Sequence, residues 1–159
     1  MVTDALPTSE QACVHDAMSR LRHACYDRVL AIGPPPRELR QLLAQRCASI
    51  VSAGEHAGDG AKAQRTPGFD GATSGGTFGL VVIADALHAL APGDIDALAQ
   101  MLSRCTEPGT EYLALHASSL RGPAGSSEDA VDTFIDSIGA HSVARRRSGG
   151  YRLDHWTVD

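Results

Sequence analysis

Apolar residues recur along this chain in two alternating rhythms. Residues 8–25, TSEQACVHDAMSRLRHAC, repeat at helical spacing, with Thr8 placed to cap and Gln11 to reach back. A short apolar run, Val29 to Ile32, ends the strand YDRVLAIG. Residues 37–47 are helical again, with Leu39, Leu42 and Leu43 on one face, and Pro35 and Pro36 suit the helix's first turn. ASIVSAG is a second strand. From 55 to 77 seven glycines or prolines fall among small polar residues and the period is lost, which predicts a flexible or irregular segment. Order returns with a buried strand from Leu80 to Ile83 and a helical turn. A helix over 91–105 follows, with Asp94 as its cap and Ile95, Leu98 and Leu102 inward. EPGTEYLALHA turns into a strand, SSEDAVDTFIDSIGA is a helix closed by Gly139, and residues 141–158 form a hairpin around SGG.

Strands that alternate with helices build a mainly parallel sheet covered on both faces. The fold class is therefore α/β, a single domain over residues 1–159 with an N-terminal helix in 1–25 and an antiparallel hairpin at its end. Aromatic residues make up only 4% of the chain, so Leu, Val, Ile and Ala must fill the core. Tyr151 and Trp156 are expected to cover a helix, with Arg152 and Asp154 as partners on the opposite face.

Charge excludes more than it assigns. A net charge of −5 argues against a nucleic-acid partner, and the triplet Arg145-Arg146-Arg147 is a solvated strand edge before it is a phosphate site. Cys13, Cys25, Cys47 and Cys105 form no C-x-x-C pair and are expected to be buried thiols; the seven histidines lack metal-ligand spacing. The first residues lack a basic start and an apolar core, and no segment approaches the roughly 20 apolar residues of a membrane span. A cytoplasmic location and no membrane contact are the expectation.

Three stretches carry a family resemblance. They are YDRVLAIGPPPRELRQLLAQRCASIVSAG, FGLVVIADALHAL and the tail EPGTEYLALHASSL…GSSEDAVDTFIDSIGAHSVARRRSGGYRLDHWTV. Together they resemble class I S-adenosylmethionine-dependent methyltransferases, and within them the small-molecule enzymes related to nodulation protein S. The resemblance implies a Rossmann-like three-layer sandwich. It places a cofactor glycine loop at 31–37, a ribose carboxylate at the end of the second strand, and substrate-side residues at Asp85, His88 and His116.

The cofactor positions are where the chain departs from that family. Ala31 stands where the family has an acid, Gly33 is the one glycine kept, and Pro34, Pro35 and Pro36 precede Arg37 at the last glycine's place. Prolines remove backbone donors, and the arginine is expected to intrude on the ligand. Gly54 holds the carboxylate's place with Glu55 next to it, and Phe78-Gly79 replaces an FD pair. A helix of about 11 residues, a strand of about 5 and their loops would fill the interval 55–77 completely, and its glycine-rich composition without a β-branched run leads to the expectation that the third strand and its helix are reduced or missing. Asp70 is the one candidate there for the adenine-side acid.

Gly33, Glu55 and Asp85 are thus vestigial cofactor-binding candidates. Asp85 otherwise caps the following turn, and Glu55 is otherwise a solvated loop residue. His88 and His116 are catalytic candidates only if the chain is active; otherwise His88 is partly exposed and His116 is a hydrogen-bonded structural residue. The sequence favours a degenerate, non-catalytic binding, scaffolding or partner subunit with no cofactor, associating with an active methyltransferase or with itself. The alternative is an active S-adenosylmethionine-dependent small-molecule methyltransferase with an atypical site and with 55–77 as a lid. A third reading places some other small-molecule ligand in the same crevice.

Overall fold

The computed structural model describes residues 9–53, 76–123 and 125–159. Helix α1, Ser9–Arg20, leads into strand β1, Tyr26–Ile32. Helix α2, Arg37–Ala44, and strand β2, Cys47–Ala53, follow. Strand β3, Leu80–Ala84, runs into a 3-10 turn, Leu87–Ala89, and helix α3, Pro92–Arg104. Then come β4, Glu111–Ala117, and a small ribbon of β5, Arg121–Gly122, and β6, Gly125–Ser126. Helix α4, Ser127–Ile138, and the hairpin β7, Ala144–Ser148, and β8, Tyr151–Thr157, complete the order.

Among the described residues the main sheet has six strands in the order β2-β1-β3-β4-β8-β7, parallel from β2 to β4 and antiparallel through β8 and β7. The expectation of a reduced or missing third strand and helix, like Glu55 and Asp70, falls on a stretch outside the described residues. Helices cover both faces, so the central strands are apolar at consecutive positions rather than alternate ones. Leu80, Val82, Leu113 and Leu115 pack under α1 and α2 with Val14, Ala17, Leu39 and Leu43. Val81, Ile83, Tyr112 and Ala114 pack under α3 and α4 with Leu98, Leu102, Phe134 and Trp156. No helix among the described residues is long and apolar enough to cross a membrane.

Several local expectations are corrected. Thr8 lies outside the described residues, and α1 stops at Arg20, five residues early. Its chain is redirected because the Arg22 N–H donates 3.0 Å to Glu111 rather than continuing the helix. Helix α2 ends at Ala44, where Cys47 already joins β2. Asp94 does not cap α3: Pro92 occupies the first turn after Ala91, and Asp94 sits within that turn. Helix α4 carries an unforeseen reciprocal cap, in which Ser126 and Asp129 exchange side-chain and backbone bonds. Trp156 does not lie opposite Arg152 and Asp154. All three share the α4 face, where Trp156 stacks on Tyr112 at 5.0 Å and 6°, while Tyr151 faces α1 and approaches Glu10. Cys13 and Cys105 are buried as expected, Cys47 is half-buried and Cys25 is exposed.

Buried charge is compensated in two places. Arg152, 1% exposed, donates to Asp154 and Asp132 at 2.7–3.2 Å, and Arg145 bonds the other side of Asp154 at 2.8 Å. Arg146 and Arg147 pair with Asp16 and Glu128, so the basic triplet is an edge strand saturated by the chain's own acids. Glu111, wholly buried at the amino end of β4, accepts from the Arg22 N–H and the Tyr26 hydroxyl and meets His155 Nε2 at 2.8 Å. Burial alone would raise its carboxyl, but the bonds from His155, Tyr26 and Arg22 hold it below the usual range.

Glu111→Gln should therefore cost about 1–3 kcal/mol in urea unfolding at pH 7. Because the folded carboxyl titrates below its unfolded value, its contribution is complete above the ordinary value of 4.5 and is lost as pH falls through the folded value. The variant should lose that part of the acid limb of the stability profile.

Candidate functional site at the carboxyl edge of the sheet

Open α/β sheets bind ligands beyond the carboxyl ends of their strands, where the strand order reverses. Here the chain goes from β1 outward to β2 and returns to β3 on the other side of β1, so the reversal lies between Ile32 and Ala84. The residues singled out in the sequence converge there: Gly33 after β1, Asp85 and His88 after β3, and His116 near the end of β4. Glu55 lies outside the described residues.

Gly33 is stitched to both neighbours. Its N–H donates 3.0 Å to the Ala53 carbonyl at the end of β2. Its φ is +84°, and a Cβ built on it would sit 2.2 Å from the Ala84 carbonyl oxygen and 2.8 Å from the Ala86 side chain. Only glycine fits such a turn. Pro34, Pro35 and Pro36 follow, without N–H groups, and Pro36 starts α2 without a side-chain cap. The whole turn from 33 to 36 thus has one backbone donor, and that donor is already bonded. Ala31, in the acid's place, is buried. Arg37, expected to intrude on the ligand, is instead exposed on the first turn of α2.

Asp85 is not a helix cap. Its φ is +47°, its N–H donates to the Leu115 carbonyl at 3.0 Å, and its Oδ1 accepts the Ala117 N–H at 2.8 Å. This pair of bonds ties the ends of β3 and β4 together, and burial raises the carboxyl above its usual range. Through its backbone N–H and Oδ1, Asp85 thus ties the strand ends together. Cys13 of α1 lies near it, its thiol pushed up to about 11 by burial and by Asp16 and Asp85, which leaves no reactive thiolate at neutral pH.

His88 is half-buried in the 3-10 turn, and its carbonyl bears directly on the ribbon: a Cβ on Gly122 would lie 1.8 Å from it. His116 is fully buried. Burial pushes its imidazole down to about 3, with His88 and Arg152 adding to the shift, so it is neutral at any working pH. Neither of its ring nitrogens has a hydrogen-bond partner, and neither does His88 Nδ1. The expectation of a hydrogen-bonded structural histidine fails at His116. The sequence offered no sign of the ribbon that covers this corner, apart from the glycines of RGPAGSS. No group of three metal-ligating side chains occurs among the described residues.

This arrangement of strands and loops is that of the class I S-adenosylmethionine-dependent methyltransferases, and solved structures share it. A putative methyltransferase from Pseudomonas syringae superposes with a TM-score of 0.69 at 17% identity, covering 93% of this chain and 97% of that one. The N-methyltransferase NodS from Bradyrhizobium japonicum WM9 gives 0.64 at 13% identity, with 94% of each chain covered. Human N-acetylserotonin methyltransferase, solved with SAM, gives 0.62 at 12% identity, covering 93% of this chain and 52% of that enzyme. No family model matches the sequence, and no curated protein does. At these identities the likeness establishes the fold, a Rossmann-like sandwich with its antiparallel hairpin, and leaves the chemistry to the residues.

Gly33→Ala is expected to destabilise the protein by about 2 kcal/mol or more, because a strained φ adds to a backbone collision. Chemical denaturation of the two proteins side by side measures it.

Proposed function

We propose that this protein keeps the methyltransferase sandwich as a non-catalytic binding or partner subunit and does not hold S-adenosylmethionine. The observation that carries this reading is the β1–α2 turn: its single N–H is bonded to Ala53, its Cα rests on the Ala84 carbonyl, and three prolines supply no other donor. An adenosyl cofactor held at such a turn depends on backbone donors and on a nearby acid. Each missing charged contact weakens binding by about 1.5–3 kcal/mol, so two or three together mean a hundredfold or more. Asp85, the other candidate described, already gives Oδ1 to the Ala117 N–H. The partner would be an active methyltransferase or a second copy of this chain.

A second reading, an active small-molecule methyltransferase with an atypical cofactor site, draws on the free ring nitrogens of His88 and His116 at the same edge. In that reading His88, the more exposed of the two, removes the substrate proton while the substrate attacks the sulfonium methyl in line. His116 is held neutral and enclosed, which suits a contact better than a proton shuttle.

Calorimetric titration with S-adenosylmethionine and S-adenosylhomocysteine separates the readings. The first expects a dissociation constant weaker than about 100 μM for both ligands, above roughly −5.5 kcal/mol. Micromolar affinity for either would replace it with the second.

A further inference from the structure

A second polar cluster lies at the opposite, amino end of the sheet, around Glu111. This fully buried carboxylate accepts from the Arg22 N–H, the Tyr26 hydroxyl and His155 Nε2. Those bonds hold it below the usual range, so at neutral pH it is ionised and can only accept. The tautomer of His155 follows from that chemistry: Nε2 carries a hydrogen, and in the neutral ring Nδ1 presents a bare lone pair. Nδ1 makes no bond among the described residues. It stands at the wall of a cleft of about 440 Å³ between the α1–β1 turn, the α4–β7 loop and the end of β8.

The rest of that wall supplies donors. The exposed Arg22 guanidinium reaches the Thr157 hydroxyl at 3.3 Å and meets no carboxylate among the described residues. His141 and Ser142 are exposed on the same wall, and their side chains make no bond among the described residues either. Asp159 brings a carboxylate to the rim. The cleft thus combines a permanent cation, two further polar side chains and an acceptor nitrogen whose ring is held from behind by a buried carboxylate. A polar group fixed in this way discriminates between ligands that do and do not carry a hydrogen for it.

We propose that this cleft binds an oxyanion that retains an O–H, hydrogen phosphate being the simplest. Arg22 answers its charge, and its O–H donates to His155 Nδ1. Other ligand classes each leave one of these two groups unanswered. Sulfate and the dianion of a phosphate ester have the charge but no hydrogen for Nδ1. An alcohol or an amide has the hydrogen but gives Arg22 no counter-charge, and an ammonium group is repelled by it. Repulsion from Asp159 and solvent screening at Arg22 keep the affinity modest, about millimolar. The cleft lies at the other end of the sheet from Gly33, so the proposal goes beyond the reading of the cofactor turn and does not depend on it.

The test follows the His155 ring nitrogens by long-range proton–nitrogen NMR at about pH 8, with sodium chloride holding the ionic strength constant. Inorganic phosphate, sulfate and methyl phosphate are added in separate titrations; at that pH all three are dianions, and the first alone keeps an O–H. The expected result is a saturable shift of Nδ1 with inorganic phosphate at about millimolar concentration, and midpoints at least about threefold higher with the other two. Arg22→Gln keeps the backbone N–H that Glu111 accepts, and it should raise the phosphate midpoint about threefold or more. No saturable shift with phosphate, a sulfate or methyl phosphate midpoint equal to it, or an unchanged midpoint in Arg22→Gln overturns the proposal. The wild-type comparison of the three anions stands even if the variant fails to fold.

Discussion

A single backbone amide governs the carboxyl edge of this sheet. Between the end of β1 and the start of α2 the chain has one N–H, on Gly33, and it completes the ladder to Ala53. With the Gly33 Cα against the Ala84 carbonyl, the turn binds β1 to both flanking strands. Three prolines make the arrangement stiff, since each fixes its own φ and restricts the residue before it.

The buried polar groups divide into two populations. Glu111, Arg152 and Asp154 are as deeply enclosed as any residues in the protein, and each is matched by several partners from different elements. These networks fasten β8 to β4 and α4, and the α1–β1 turn to the sheet. The His116 ring nitrogens and the Tyr112 hydroxyl are equally enclosed and unmatched.

The sandwich was legible in the sequence because its signals are local and periodic. LVVIA and YLALHA are apolar at consecutive positions, as doubly covered strands must be, and Gly139 stops α4 with its left-handed φ of 72°. The loss of donors at Pro34–36 was equally plain. Less legible were features set by distant partners. The end of α1 depends on Glu111, 89 residues further along the chain, and a glutamate opening a strand gives no sign of burial. The face of Trp156 follows from strand parity with Arg152, five residues away in parity terms from Tyr151 and so on the other side of the sheet. That Arg37 swings outward and that Asp85 serves Ala117 rest on side-chain geometry which spacing does not encode.

The Gly33 amide itself offers the most direct test. In amide hydrogen-exchange NMR it should exchange slowly, as a ladder-bonded group does, and its resonance should stay in place as S-adenosylhomocysteine is added to millimolar concentration. Rapid exchange, or a saturable shift of that one resonance on addition of the nucleoside, would mean the donor is free for the cofactor and would contradict the account.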